Sequence, residues 1–218
     1  MQTFREVLRA VPSVAGQAPD FDWPSAPATP HELFMAWFRH ALAAGVPEAH
    51  ATTLSTVDGH GAPDARMVIL KDVSDEGNFA FATSDESAKA QQLAGNPHCA
   101  LTLFWSPVAR SIRVRGTAHR ASAAESSADF RARHPLARAV ALTGAQSSVV
   151  ADQAARRDAI ARAESAVRED ATIVSPLWSV WSVVPESVEF WQGDPGRDHH
   201  RLRYLRTGPG WELQRLAC

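Results

Sequence analysis

Lysine is almost absent from this 218-residue chain: of 22 basic residues, only Lys71 and Lys89 are lysine. Tyrosine occurs once, at Tyr204, and cysteine twice, at Cys99 and Cys218. Two distant cysteines exclude a disulfide framework and the paired spacing of a zinc site, and they fit a reducing compartment. Charge is nearly balanced at −2, with no run of basic residues, which gives no support for nucleic-acid binding. Long apolar runs are missing as well. The uncharged stretch at residues 171–185 is broken by proline and serine and falls short of the ~20 apolar residues of a membrane span. The N-terminus carries Glu6 and no apolar signal-peptide core. These absences predict a soluble, cytoplasmic protein with no membrane or nucleic-acid partner and no metal. Arginine and alanine excess also fits a GC-rich genome, in which case two surviving lysines mean nothing. Where they sit decides that question.

What is present is globular composition, 45% hydrophobic and 21% charged, enough for a sizeable core. Residues 1–30 carry five prolines (12, 19, 24, 27 and 30) and read as an extended arm, ahead of a single domain over 31–218. Leu33, Phe34, Trp37, Phe38 and Ala41 fall on one helical face. Strands follow at 51–57, 65–72, 78–83, 99–105 and 111–119, joined by turn sequences such as Asp58-Gly59-His60-Gly61. A helix is expected at 87–93, stopped by Gly95-Asn96-Pro97. Residues 121–170 are alanine- and arginine-rich and mostly helical. Trp178–Val184 and Val188–Trp191, on either side of Pro185-Glu186, read as an antiparallel pair, as do 201–206 and 211–216. Short strands joined by tight turns, with helices segregated, predict an α+β antiparallel barrel. A small barrel has little interior room, so a ligand would sit outside it or between subunits.

Four constellations carry chemistry. Alternation along residues 66–71 puts Arg66, Val68 and Leu70 on one face and Met67, Ile69 and Lys71 on the other. Thr83-Ser84-Asp85-Glu86-Ser87-Ala88-Lys89 combines hydroxyls, a helix start and an ammonium, which suits a phosphate; a plain serine cap with a solvated lysine is the alternative. Gln146-Ser147-Ser148 is a polar loop. Phe190 to Arg201 offers a tryptophan, arginines and two histidines around glycines. Nucleotide-binding glycine motifs, a Walker loop and the common hydrolase motifs are absent.

In this order, Arg66-Met67-Val68-Ile69-Leu70-Lys71, Ser87-Ala88-Lys89, Gln146-Ser147-Ser148, Phe190-Trp191-Gln192-Gly193 and Arg197-Asp198-His199-His200-Arg201 resemble the pyridoxine/pyridoxamine 5'-phosphate oxidase family, from about His31 to the C-terminus. The resemblance implies an FMN-binding split antiparallel β-barrel with peripheral helices, a homodimer, and FMN at the subunit interface. It gives cofactor contacts to Arg66, Met67, Val68, Ile69, Lys71, Thr83, Ser87, Lys89, Ser111, Gln146, Ser147, Trp191 and Arg201. Ser87 and Lys89 would hold the FMN phosphate. Gln146, Ser147, Trp191 and Arg201 would come from the partner subunit. Lys71, Arg133, Arg197 and His199 would bind a phosphorylated substrate, with Arg197 and His199 as the catalytic pair. The implied reaction is hydride transfer from substrate C4' to flavin N5, with dioxygen reoxidising the flavin to give hydrogen peroxide and pyridoxal 5'-phosphate. The chain departs from the family pattern at Ala82, Ala88 (usually arginine), Ser111 (usually glutamine), Ala137 (usually serine), at Asp129-Phe130-Arg131-Ala132-Arg133, which lacks a tyrosine, and at Asp198-His199-His200. Either Arg131 or Arg133 fits the substrate arginine. These departures keep open a relative of the same fold acting on another substrate, as the phenazine-pathway oxidases do, and a flavin-binding protein with little turnover.

Overall fold

The computed structural model describes residues 2–218. Its strands are β1 (Ala51–Val57), β2 (Pro63–Val73), β3 (Phe79–Ser84), β4 (His98–Trp105), β5 (Arg110–Arg120), β6 (Trp178–Gln192), β7 (His200–Thr207) and β8 (Gly210–Arg215). Its helices are α1 (Phe4–Ala10), α2 (Pro30–Ala43), α3 (Ala88–Gly95), α4 (Ala123–Ala132), α5 (Pro135–Leu142) and α6 (Gln153–Glu169). The sheet runs β3-β2-β1-β4-β5-β6-β7-β8, and β3 also pairs with β6, which closes β1 to β6 into an antiparallel barrel. The expected α+β barrel is thus present. Among the described residues, no helix is long and apolar enough to cross a membrane.

Contacts divide the expected single domain into two compact units, with β1, β4, β5 and β6 running through both. One comprises residues 2–52, 101–115 and 186–218. Here α2 starts at Pro30, whose missing N–H costs nothing at a helix start, and buries Leu33, Phe34, Trp37 and Ala41. Trp37 meets Phe190 edge to face at 5.1 Å, and Phe190 meets Tyr204 at 5.8 Å. The single tyrosine is fully buried, and its hydroxyl donates to the Pro27 carbonyl at 2.8 Å. Burial pushes that phenol up to about 12. The N-terminal segment is not extended throughout. Thr3 and Glu6 form a capping box that starts α1, before the first proline at Pro12 can interfere. Beyond it, the Gln17 N–H donates to Pro107 O at 3.0 Å and Gln192 Nε2 donates to Pro19 O at 2.7 Å, so this stretch lies on its own unit.

The other unit comprises residues 53–100 and 116–185. Its core holds Leu54, Phe79, Phe81, Leu93, Phe130 and Val183, all essentially without solvent exposure. Each contributes roughly 1.5–3 kcal/mol of burial. In β3, alternate residues Phe79, Phe81 and Thr83 point inward, pairing with Val183, Trp181 and Ser179 of β6. The expected hairpin at Pro185-Glu186 does not form: β6 runs unbroken from Trp178 to Gln192. The turn reading fails because Gly116 of β5 leaves room. A Cβ there would lie 2.0 Å from the Val184 carbonyl oxygen and 2.9 Å from Pro185 Cα. The strand does slip by one residue, with odd positions buried up to Pro185 and even ones from Val188.

Candidate functional site

The phosphate-type motif is built at the start of α3. Ser87 is the helix cap, accepting from the Ala90 N–H at 3.3 Å, and is fully buried. Its hydroxyl lies 3.1 Å from Thr83 Oγ1, which also accepts from Lys89 Nζ at 3.2 Å. Lys89 is only 8% exposed. Burial, and then the positive charge of Arg66, hold its ammonium below the ordinary lysine range, against a weaker opposite pull from Asp64. A buried ammonium beside two hydroxyls and a helix N-terminus is a site that gains by receiving an anion.

Strand β2 supplies the next part. Val68 and Leu70 are buried, whereas Met67 and Ile69 are 61% and 41% exposed and Lys71 is exposed, following the expected alternation. Met67, Val68, Ile69, Lys71, Ala82, Thr83, Lys89, Arg133, His134, Ala137, Gln146 and Trp178 line one cleft of about 430 Å³. Both lysines of the chain line it. Arg66 points the other way. Its guanidinium donates to Thr56 Oγ1 and to Gln92 Oε1 at 2.9 Å, and pairs with Asp64.

The far end of the cleft rests on a residue that sequence reasoning missed. Trp178 carries the Arg133 guanidinium over its ring, 3.8 Å from the centroid, and donates its Nε1–H to Asp129 Oδ2 at 2.8 Å. The other oxygen of Asp129 pairs with Lys71 Nζ at 3.3 Å. Arg133 Nη1 is buried without a hydrogen-bond partner. Burial lowers the Arg133 pKa, and Asp129 opposes that. Between the two candidate arginines, Arg133 lines the cleft and Arg131 is exposed.

The Gln146-Ser147 loop also closes onto this unit. Gln146 Oε1 accepts from Thr83 Oγ1 and the Ser84 N–H, both at 3.2 Å, and Ser147 Oγ accepts from the Ala88 N–H at 3.5 Å. Within the single chain, these two residues, expected to serve a partner subunit, are bound to Thr83, Ser84 and Ala88. The loop is held by left-handed Gly144, Ala145 and Ser147, with Glu86 accepting from the Ala145 N–H at 3.0 Å.

The remaining expected residues form a second cluster in the other unit. Ser111, Trp191 and Arg201 line a cleft of about 460 Å³ with Thr102, Arg113 and Glu189. Glu189 is shared, accepting from Arg201 at 2.8 and 3.0 Å and from Arg113 at 2.6 Å. The His199 ring packs 5.2 Å from that of Trp191, and its Nδ1 accepts from the Asp194 N–H at 3.0 Å, which leaves the proton of a neutral ring on Nε2. Arg197 is exposed, stands outside this lining, and adopts a left-handed φ of 67° in a turn closed onto Asp194 O. Among the described residues, no cluster of His, Cys, Asp and Glu is arranged to hold a metal ion.

An antiparallel barrel with a partly apolar cleft lined by a mostly buried ammonium belongs to a class suited to an anionic small molecule. Comparison with known proteins gives the particular family. Residues 38–192 match the family described as Pyridoxamine 5'-phosphate oxidase, and residues 178–218 match the Pyridoxine 5'-phosphate oxidase C-terminal dimerisation region. The pyridoxine/pyridoxamine 5'-phosphate oxidase of Bordetella petrii is 44% identical over 197 residues, spanning 88% of this chain and 91% of its own. That of Burkholderia lata is 40% identical over 191 residues, spanning 86% and 88%. The solved structure of PhzG from Burkholderia lata, in complex with tetrahydrophenazine-1-carboxylic acid, shares the fold with a TM-score of 0.88 at 24% identity, covering 93% of this chain and 100% of that one. The chain belongs to the pyridoxamine 5'-phosphate oxidase family and is an oxidoreductase.

Proposed function

We propose that the protein binds FMN in the cleft over β2 and β3 and oxidises pyridoxine or pyridoxamine 5'-phosphate to pyridoxal 5'-phosphate, with dioxygen as acceptor and hydrogen peroxide released. The observation that carries the reading is the cleft lining itself. It joins Lys89 and Thr83, backed by the buried Ser87 hydroxyl and suited to a phosphate, with the exposed Met67–Ile69 stripe, suited to a flat aromatic face. FMN supplies the hydride acceptor when bound. Lys89 neutralises its phosphate and Ser87 helps to hold it, while Thr83 Oγ1, whose proton goes to Gln146 Oε1, accepts from the Lys89 ammonium and steadies it. Gln146 and Ser147 hold the rim. Lys71 and Arg133 take the acidic group of the substrate. The family's C-terminal dimerisation region supports a homodimer, in which the Ser111–Trp191–Arg201 cluster, with Arg197 and His199, completes the site across the subunit interface.

A second reading, oxidation of a different substrate with the same cofactor, is favoured by one observation: Lys71 already has a carboxylate partner in Asp129. One experiment tests both. Purified protein should be yellow and release FMN on denaturation. Under oxygen it should convert both B6 phosphates with stoichiometric peroxide. FMN-replete protein that turns over neither phosphate rejects the first reading, and protein that takes up no FMN rejects both.

A further inference from the structure

We propose that Asp129 is a specificity-determining residue: it offsets part of the positive charge at the Lys71–Arg133 end of the cleft and so weakens a phosphate dianion more than a singly charged anion. The inference rests on the reading of this cleft as the flavin and substrate site.

Three observations carry it. The Asp129 carboxylate is fixed at both oxygens, by Lys71 Nζ at 3.3 Å and by Trp178 Nε1 at 2.8 Å, so it does not swing away when another anion arrives. Its side chain is 17% exposed, sheltered enough for its charge to be felt. Arg133, over the same indole, lines the cleft, and its Nη1 is buried without a hydrogen-bond partner, so its charge is poorly solvated. Lys71 and Arg133 line the cleft, and Asp129, paired with Lys71 and Trp178, lies behind that lining, so two cations and one carboxylate set a net charge of about one there. A monoanion meets one full positive charge there. A dianion keeps one charge uncompensated beside a carboxylate. The Lys89 end differs, because its ammonium is held by the Thr83 hydroxyl.

The test is equilibrium binding to the FMN-loaded protein by titration calorimetry, with pyridoxal 5'-phosphate as the dianionic probe and nicotinate as the singly charged one. Asp129→Asn keeps an oxygen to accept from Trp178 Nε1, which preserves the Arg133 stack. It should tighten pyridoxal 5'-phosphate by about tenfold and change nicotinate by less than about threefold. Lys71→Gln, which strips Asp129 of its counter-ion, should weaken pyridoxal 5'-phosphate more than nicotinate. Equal shifts for the two probes in either variant, or no tightening in Asp129→Asn with FMN content unchanged, would overturn the proposal. The binding readout is independent of turnover. Failure to oxidise pyridoxine 5'-phosphate would remove the substrate reading while the calorimetric comparison still decided the role of Asp129.

Discussion

The guanidinium of Arg133 lies 3.8 Å above the indole of Trp178, and one of its terminal nitrogens is buried with no hydrogen-bond partner. A cation over an indole face is worth about 0.5–2 kcal/mol, and the guanidinium also offers a bidentate fork that an ammonium lacks. Arg133→Lys keeps the charge and loses both. It should raise KM for the acidic substrate by about tenfold, leave kcat within about threefold, and leave FMN content unchanged. Steady-state kinetics with flavin absorbance as the loading control checks this. An unchanged KM would mean that the stack is a packing feature only.

The two lysines differ in what holds them. Lys89 is buried against a hydroxyl, whereas Lys71 is exposed and paired with Asp129. Lys89→Ala should weaken FMN at least about tenfold, because it removes a charge-assisted contact from a sheltered site; Lys71→Ala should weaken it about threefold or less. Fluorescence quenching of free FMN measures both. Equal losses would contradict the division of the cleft into a cofactor end and a substrate end.

Cofactor affinity should also depend on pH in a direction that the cradle fixes. Burial and the charge of Arg66 lower the Lys89 pKa from its ordinary 10.5, with Asp64 pulling weakly the other way. A bound phosphate favours the ammonium, so the pKa rises on binding. FMN affinity is therefore full below the lowered pKa of the free protein and falls as pH climbs through it toward the value in the complex. The decline should begin below pH 10.5. Lys89→Arg, which stays charged, should flatten it. A flat profile in the wild type would show that Lys89 does not hold the phosphate.

The parts of this site legible in the sequence are those set by local rules. Alternation placed Met67 and Ile69 on the open face of β2, and the serine cap placed Lys89 beside its hydroxyls. Trp178 was not legible, because its role comes from α4, where Asp129 meets its Nε1, and from Arg133 just beyond that helix. What Gln146 touches within the chain was not legible either: a short polar loop carries no signal of its partner, and two non-glycine left-handed residues, Ala145 and Ser147, had to be held by contacts to Glu86 and Ala88 far away in sequence. Helix α1 was hidden by the prolines that follow it.

Pro185 marks the clearest conflict between local rule and fold, and Gly116 resolves it. A proline-acidic pair between two apolar runs reads as a turn, yet β6 passes straight through. The barrel accepts this because the Val184–Pro185 backbone lies against the bare Cα of Gly116, where a Cβ would fall 2.0 Å from a carbonyl oxygen. Both sides of that clash are backbone, so no side-chain rotation relieves it. Gly116→Ala should push β5 from β6 and cost about 3 kcal/mol or more, at the top of the range for overpacking. Glycine-to-alanine at Gly59, where nothing lies within 4 Å of the added carbon, should stay within about 0.5 kcal/mol. Urea denaturation of the two variants makes the comparison. A Gly116→Ala protein as stable as the wild type would mean that β6 is not pinned at Pro185.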